Sequence, residues 1–340
     1  ILESTEPGPV EPCRLQEARG RILREPVRAD RPSPPYDRVV MDGFALSSVA
    51  WQEGRRDFAI QASIPAGQRP PALRDDTHVL GVMTGGVLPS GCDLVVPVEW
   101  CAQADGQVRV TPAEDMTVEA GQFVHRTGSD GPAGRTVVTA GTNLGPAELA
   151  IAAAEGAIEP VTNCVPRITL VTTGSEVVPP DSEPEAWQIR GSHATALASL
   201  FAGWGPVAWR HEHVKDEADA LRRAFSNALG DTDMLLVTGG VSRGQWDLVP
   251  GALANAGVRK VLHRVAQRPG KPLWFGCGES ALVFGLPGNP VSALCCARRY
   301  AWPALDRWSG REDEGPGRVT LNEAFSPLPG LTYFLPVQRK

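Results

Sequence analysis

Asp233-Met234-Leu235-Leu236-Val237-Thr238-Gly239-Gly240-Val241-Ser242-Arg243-Gly244-Gln245-Trp246-Asp247 is the stretch that decides the fold. The apolar run up to Val237 has the pattern of a strand buried on both faces. Thr238, Gly239 and Gly240 then turn the chain and leave its amides uncovered, because glycine adopts turns that other residues resist. Trp246, Leu248, Val249 and Leu253 have the spacing of a helix that begins near Gln245. A strand, a glycine turn and a helix N-terminus make an anion cradle, since free N–H groups and the helix dipole point the same way. Ser242 adds a hydroxyl and Asp247 a carboxylate, an arrangement suited to a phosphate held near a metal. A Gly-Gly pair alone is also the mark of an ordinary βα turn. The surrounding chain must therefore carry the reading.

Outward from this stretch, residues 167–309 alternate strand and helix. Strands are expected at 168–171, 207–214, 233–237, 258–265 and 281–284, and helices at 190–202, 216–229, 245–256 and 290–308. That alternation predicts a mostly parallel sheet covered on both faces, with ligands bound beyond the strand C-termini. Turns at Gly174, Gly239 and Gly288 each follow a strand and are expected to gather on that edge. The first carries Ser175 and Glu176. Arg268-Pro269-Gly270-Lys271-Pro272 brings two cations to one bend. Leu286-Pro287-Gly288-Asn289-Pro290-Val291-Ser292 leads into a helix and again suits an anion. Lys271 and Arg268 can neutralise an oxyanion while Glu176, Asp247 and Asp42 hold a divalent cation. Taken singly, each of these acids also fits an ordinary solvated surface group.

The first 166 residues read differently. Residues 13–28, with Leu15, Ala18, Ile22 and Leu23, have the spacing of an amphipathic helix. Short alternating segments bounded by Pro or Gly predict an inserted β domain over residues 28–128. Residues 1–27 and 129–166 then form one discontinuous linker or dimerisation domain, whose segment 146–154 is alanine-rich and helical. Residues 167–309 are the α/β domain, and 310–340, with possible strands at 319–321 and 333–335, read as a partial C-terminal β domain. In the inserted domain Asp42 stands between apolar neighbours, where a carboxylate needs a partner, although Asp42-Gly43 also fits a hairpin turn. Met83-Thr84-Gly85-Gly86 repeats the Thr-Gly-Gly turn, and His125, Arg126 and Asp130 share a glycine-bounded turn. Asp37 reads as a turn acid.

A net charge of −6 over 340 residues gives no reason to expect nucleic acid as the main partner. The seven cysteines form no Cys-x-x-Cys pair, and adjacent Cys295 and Cys296 cannot bridge each other. Reduced thiols of a cytoplasmic protein are the expectation, with neither a signal peptide nor an apolar run long enough to span a bilayer. His211-Glu212-His213 puts two imidazoles on one face of a strand, but a zinc site needs further ligands and none is evident.

Several of these motifs come in an order that resembles the molybdopterin molybdenumtransferase family, MoeA in bacteria and the E domain of gephyrin in animals. They are Val40-Met41-Asp42-Gly43-Phe44-Ala45, Met83-Thr84-Gly85, Pro89 to Glu99, Thr173-Gly174-Ser175-Glu176, Thr238 to Gly244 with Asp247, Pro269 to Pro272, and Leu286 to Ser292. The resemblance covers roughly residues 13–309. It implies an enzyme that takes adenylylated molybdopterin and molybdate, cleaves the adenylate and leaves molybdenum on the dithiolene. It further implies Mg2+ as cofactor, an elongated homodimer with a site shared between subunits, and the molybdopterin adenylyltransferase as a partner. Asp42, Glu176, Asp247 and Lys271 would be catalytic, with Glu176 and Asp247 on the metal and Asp42 reaching the other subunit's site. Substrate would contact Thr84, Asp130, Thr238, Gly239, Gly240, Ser242, Arg268, Pro269, Gly270, Pro287, Gly288, Asn289 and Ser292. This chain departs from the family at Ser175 (often Asp), His125 (Arg), Ser129 (Glu), Arg268 (Lys) and His193 (Asn). The same features also fit a pterin-binding scaffold without turnover. A third reading is an adenylyltransferase on the related single-domain fold, against which the inserted β domain argues.

Overall fold

The computed structural model describes residues 1–112, 116–241, 248–311, 315 and 317–337, so Ser242 and Asp247 lie outside the described residues. The chain forms two compact units. One comprises Val27–Val137 with Ala154–Gly156, the other Ile1–Pro26, Val138–Ala153 and Ala157–Lys340.

The smaller unit is built on a six-stranded sheet. Its strands are β1 (Gly43–Leu46), β2 (Asp57–Ile64), β3 (His78–Val82), β4 (Leu94–Pro97), β5 (Cys101–Ala104) and β6 (Gln107–Val110), in the order β4-β1-β3-β2-β6-β5. The β2–β3 pair is parallel and the other pairings are antiparallel. Strand β1 is buried at every position because alternate side chains enter two cores. Phe44 and Leu46 pack with Phe58, Val79, Leu94 and Val96, while Ala45 packs with Val39, Leu80, Val82 and Val95.

In the larger unit the N-terminal segment is not the helix its spacing predicts. Within residues 13–28 one tight helical turn forms, at Leu15–Glu17. Ala18, Ile22 and Leu23 are buried as expected, but their backbone takes its partners elsewhere. Leu23 N–H donates to Thr142 O (2.9 Å) and Arg24 N–H to Val161 O (2.8 Å). Ile22 N–H donates to Asn163 Oδ1 at 2.7 Å. The donors a helix would satisfy internally are consumed by neighbouring chain. Helix α1 (Pro146–Ala154) does form, and Glu148 caps its start by accepting from Gly145 N–H at 3.0 Å.

The rest of this unit is a second six-stranded sheet with helices on both sides. In chain order it runs β7 (Arg167–Thr173), α2 (His193–Ala202), β8 (Ala208–Val214), α3 (Ala218–Leu229), β9 (Met234–Thr238) and α4 (Val249–Asn255). It continues with β10 (Arg259–His263), β11 (Trp274–Cys277), β12 (Leu282–Leu286), α5 (Pro290–Cys296) and α6 (Trp302–Ser309). The strand order is β8-β7-β9-β12-β11-β10. The first four strands are mutually parallel, and β11 runs antiparallel to both of its neighbours. Every residue of β9 and β12 is buried, as their unbroken apolar character requires. One face packs Leu170, Leu236 and Phe284 against Leu197, Phe201, Ala293 and Leu305. The other packs Val171, Leu235 and Val283 against Leu221, Phe225 and Leu253.

Strand β11 has no counterpart in the sequence reading, because Pro272, Gly276 and Gly278 break up a run of four residues. The single helix expected over 290–308 widens into a π-turn at Ala297–Ala301, just where Pro303 has no N–H for the carbonyl four residues back. Val319-Thr320-Leu321 is not a strand. It is irregular, and Val319 is 64% exposed. Thr332–Tyr333 instead pairs in parallel with Gln267–Arg268. Among the described residues no helix is long and apolar enough to cross a membrane.

Candidate functional site

Parallel registry fixes where the glycine turns fall. Thr172 pairs with Thr238, and Thr238 with Leu286, so β7, β9 and β12 end together. At that edge opens a cleft of about 460 Å³, whose walls include Thr173, Glu176, Thr238, Gly239, Gly288 and His193. The turns after β9 and β12 touch: a Cβ on Gly288 would lie 3.9 Å from Gly239 Cα. Gly239 has φ +93°, and a Cβ there would meet Thr173 O at 2.7 Å. Only glycine lets the backbone pass this close to the end of β7. Gly240 continues the same turn with φ +59°.

Two acids belong to this edge. Glu176 is exposed on the cleft wall, and its carboxylate has no hydrogen-bond or ion-pair partner among the described residues. Asp216 was not singled out by sequence reasoning. It lies two residues beyond β8, whose Val214 pairs with Thr173. Thr173 Oγ1 donates to its Oδ1, and Ser175 N–H donates to its Oδ2 at 3.3 Å. Any side chain just past a strand end on this edge was a candidate, but the registry that makes it so is visible only in the fold. His193, at the start of α2, also lines the cleft. Its Nε2 is buried without a hydrogen-bond partner. Burial holds its imidazole below the usual range, against a backbone hydrogen bond with Gly288 that favours the charged form.

The cationic bend lies at the same end of the sheet, because Trp274 at the start of β11 pairs with Gly285 near the end of β12. His263 Nε2 donates to Val241 O at 2.9 Å and ties the end of β10 to the turn after Gly240. Arg268 and Lys271 are exposed and make no ion pair among the described residues, but Arg268, Pro269, Gly270 and Lys271 do not line the cleft. Gly270 is buried, and a Cβ on it would meet Cys296 Sγ at 2.4 Å and Gln267 Nε2 at 2.5 Å. That close approach accounts for a glycine there by packing alone. Asn289 caps α5: its Oδ1 accepts from Ser292 N–H at 3.1 Å and from Ser292 Oγ at 3.3 Å. Both side chains thus fix the helix start, next to a buried Pro287.

Asp42, Thr84 and Asp130 belong to the smaller unit. Asp42 Oδ1 accepts from Thr84 N–H at 2.7 Å and from Thr84 Oγ1 at 2.8 Å, and these bonds hold its exposed carboxyl below the ordinary range. Two sequence candidates 42 positions apart thus meet directly. Asp130 Oδ1 lies 2.9 Å from His125 Nε2, and Arg38 donates to His125 Nδ1 at 2.9 Å. Because arginine only donates, the His125 proton sits on Nε2 and is given to Asp130. Asp37 is more than a turn acid. It accepts from Thr127 N–H and Oγ1, each at 2.8 Å, and from Arg126 at 2.6 Å. Among the described residues no group of three or more His, Cys, Asp or Glu side chains is arranged to hold a metal ion.

Comparison with known proteins covers nearly the whole chain. The family model of the MoeA N-terminal region (domain I and II) matches residues 1–156, and that of a probable molybdopterin binding domain matches residues 169–307. The molybdopterin molybdenumtransferase of Synechocystis sp. is 36% identical over 321 residues, spanning 94% of this chain and 79% of that protein. The one from Bacillus subtilis is 28% identical over 306 residues, or 88% and 71% of the two chains. A solved molybdopterin biosynthesis MoeA protein from Pyrococcus horikoshii superposes with a TM-score of 0.80 at 26% identity, covering 92% of this chain and 79% of that one. Motif order, domain content and architecture agree, and the chain belongs to the molybdopterin molybdenumtransferase family.

Proposed function

We propose that this chain is a molybdopterin molybdenumtransferase of molybdenum cofactor biosynthesis, which takes adenylylated molybdopterin and molybdate and releases AMP. The observation that carries the reading is the meeting of the turns at Gly239 and Gly288 beside an unpartnered Glu176, in one cleft. Both the adenylyl phosphate and molybdate are oxyanions, for which the N–H groups of tight glycine turns are suitable holders. Cleaving a phosphoanhydride needs charge neutralisation more than a protein nucleophile. Lys271 and Arg268 supply positive charge at the same sheet edge, and Glu176 orients groups at the wall.

Magnesium is tested by the donor set. It keeps several waters and is held by one or two carboxylates plus substrate phosphates, so a full protein cage is not required. Glu176 meets that need, with Asp247, outside the described residues, as the proposed second ligand. When bound, the ion offsets charge on the adenylyl phosphate. Ser242 is likewise proposed as a substrate contact beyond the described residues. Asp42, Thr84 and Asp130 are proposed as a second substrate-facing cluster. The domain division drawn from the sequence, a homodimer, a cytoplasmic location and supply of substrate by the molybdopterin adenylyltransferase complete the proposal.

Purified protein given adenylylated molybdopterin, Mg2+ and molybdate is expected to release AMP, read by chromatography. Lys271→Ala and Asp247→Ala are each expected to lower turnover by more than about tenfold, as when electrostatic stabilisation is removed. Near-normal turnover in both would mean that the site lies elsewhere. One observation favours a second reading, a pterin-binding protein without turnover. Ser175 brings no carboxylate beside Glu176. Pterin binding without AMP release would select it.

A further inference from the structure

The β8 side of the cleft carries groups that no oxyanion requires. Strand β8 is an edge strand, and its alternation puts His211 and His213 on one face, beside Thr172 of β7. The Thr172 hydroxyl lies 3.0 Å from His211 Nε2 and 3.0 Å from His213 Nδ1. All three residues line the cleft.

A hydroxyl has one proton to give, whereas a neutral imidazole has one N–H and one bare nitrogen. When Thr172 donates to one ring and accepts from the other, the receiving ring must carry its proton on its outer nitrogen. The donating ring must leave its outer nitrogen bare. With both rings neutral, in either sense, His211 Nδ1 and His213 Nε2 form one donor and one acceptor. Partial desolvation in the cleft, ahead of the neighbouring His213, lowers the His211 imidazole from its usual range. Val177, Val178 and Ile189 add apolar surface to the same cleft.

We propose that His211 and His213, tied together by Thr172, read the donor–acceptor edge of a fused pyrimidine heterocycle held in the cleft. Such a heterocycle offers both kinds of group, ring N–H beside C=O or an amino group beside a bare ring nitrogen. The proposal rests on the transferase reading, because that substrate offers two such edges, the pterin and the adenine.

The test is titration of the full chain with three probes: neopterin (a pterin without phosphate), AMP, and ribose 5-phosphate (a phosphate without a base). His211→Leu and His213→Leu are each expected to weaken the heterocycle that occupies the pair by about tenfold, the loss of one hydrogen bond. Ribose 5-phosphate binding should not change. Loss confined to neopterin identifies the pterin, loss confined to AMP identifies adenine, and either supports the pair. Unchanged binding of both overturns it. So does an equal loss for ribose 5-phosphate, which would mark an anion site, or failure of the unaltered protein to bind either heterocycle. Should a leucine variant not fold, Thr172→Val decides, because it keeps both rings but unlinks their protons. A several-fold loss for one heterocycle supports the pair, and no change overturns it. If the heterocycle pattern holds but adenylylated molybdopterin yields no AMP, the transferase reading fails and the pair stands. AMP release with an unchanged KM in both leucine variants has the opposite meaning.

Discussion

Replacing Gly239 by alanine tests whether the cleft floor depends on backbone that only glycine can adopt. The residue has φ +93°, where an L side chain costs about 1–2 kcal/mol. The new methyl group would also stand 2.7 Å from Thr173 O, a backbone atom at the end of β7 that cannot rotate away. Relief requires a shift of the turn or of the strand end. The combined cost is about 2–4 kcal/mol, in the range of strained backbone substitutions. For a domain of about 200 residues each kcal/mol moves the melting temperature by about 2–4 °C, so a fall of roughly 5–15 °C is expected by calorimetry. Gly288→Ala is the control. Its φ is ordinary, and its nearest new contact would be Gly239 Cα at 3.9 Å, a normal van der Waals distance. It should melt within about 2 °C of the unaltered protein. If the two variants melt alike, the argument that β7 and the Gly239 turn are wedged together is wrong.

Three further outcomes follow from named contacts. Asp216→Ala removes the acceptor for Thr173 and Ser175 and should lower turnover by about tenfold or more with melting nearly unchanged, which steady-state AMP release and calorimetry would check. Thr127 N–H, with Arg126 and the Thr127 hydroxyl, holds the Asp37 carboxyl below its ordinary value. Its charge therefore stabilises fully above the unfolded value of about 4, and this is lost as pH falls through the lower folded value. The melting gap between the unaltered protein and Asp37→Asn should shrink on acidification below about pH 4, and a constant gap would contradict the assignment. Burial pushes the thiols of Cys92 and Cys296 up to about 12, so at neutral pH both should resist iodoacetamide in the native state and react on unfolding. Rapid native labelling of either, seen by mass spectrometry, would refute this.

What the sequence disclosed and what it hid have physical reasons. Met234–Thr238 is legible because a strand buried on both faces has no polar side to confuse the pattern. The turn at Gly239 is legible because glycine after such a strand marks strained or closely approached backbone, which holds there but not at Gly288. Residues 13–28 mislead because Ala18, Ile22 and Leu23 are buried by neighbouring chain while their amides bond to Thr142, Val161 and Asn163. Periodicity records which side chains are buried, not where the backbone bonds go. Asp216 and the His211–Thr172–His213 contact come from the registry of parallel strands about 40 residues apart, which no local pattern encodes. Gly270, Asn289 and Ser292 carry chemistry in the sequence that the fold uses for close packing and for a helix cap.

The central claim is that the cleft at the ends of β7, β9 and β12 carries out metal insertion. Its most direct measurement supplies radiolabelled molybdate, adenylylated molybdopterin and Mg2+ to the purified protein and counts label on the pterin against AMP released. The account predicts that the two appear together in equal amounts, and that both fall in Asp216→Ala. Label that never reaches the pterin, while pterin binding is intact, would contradict it.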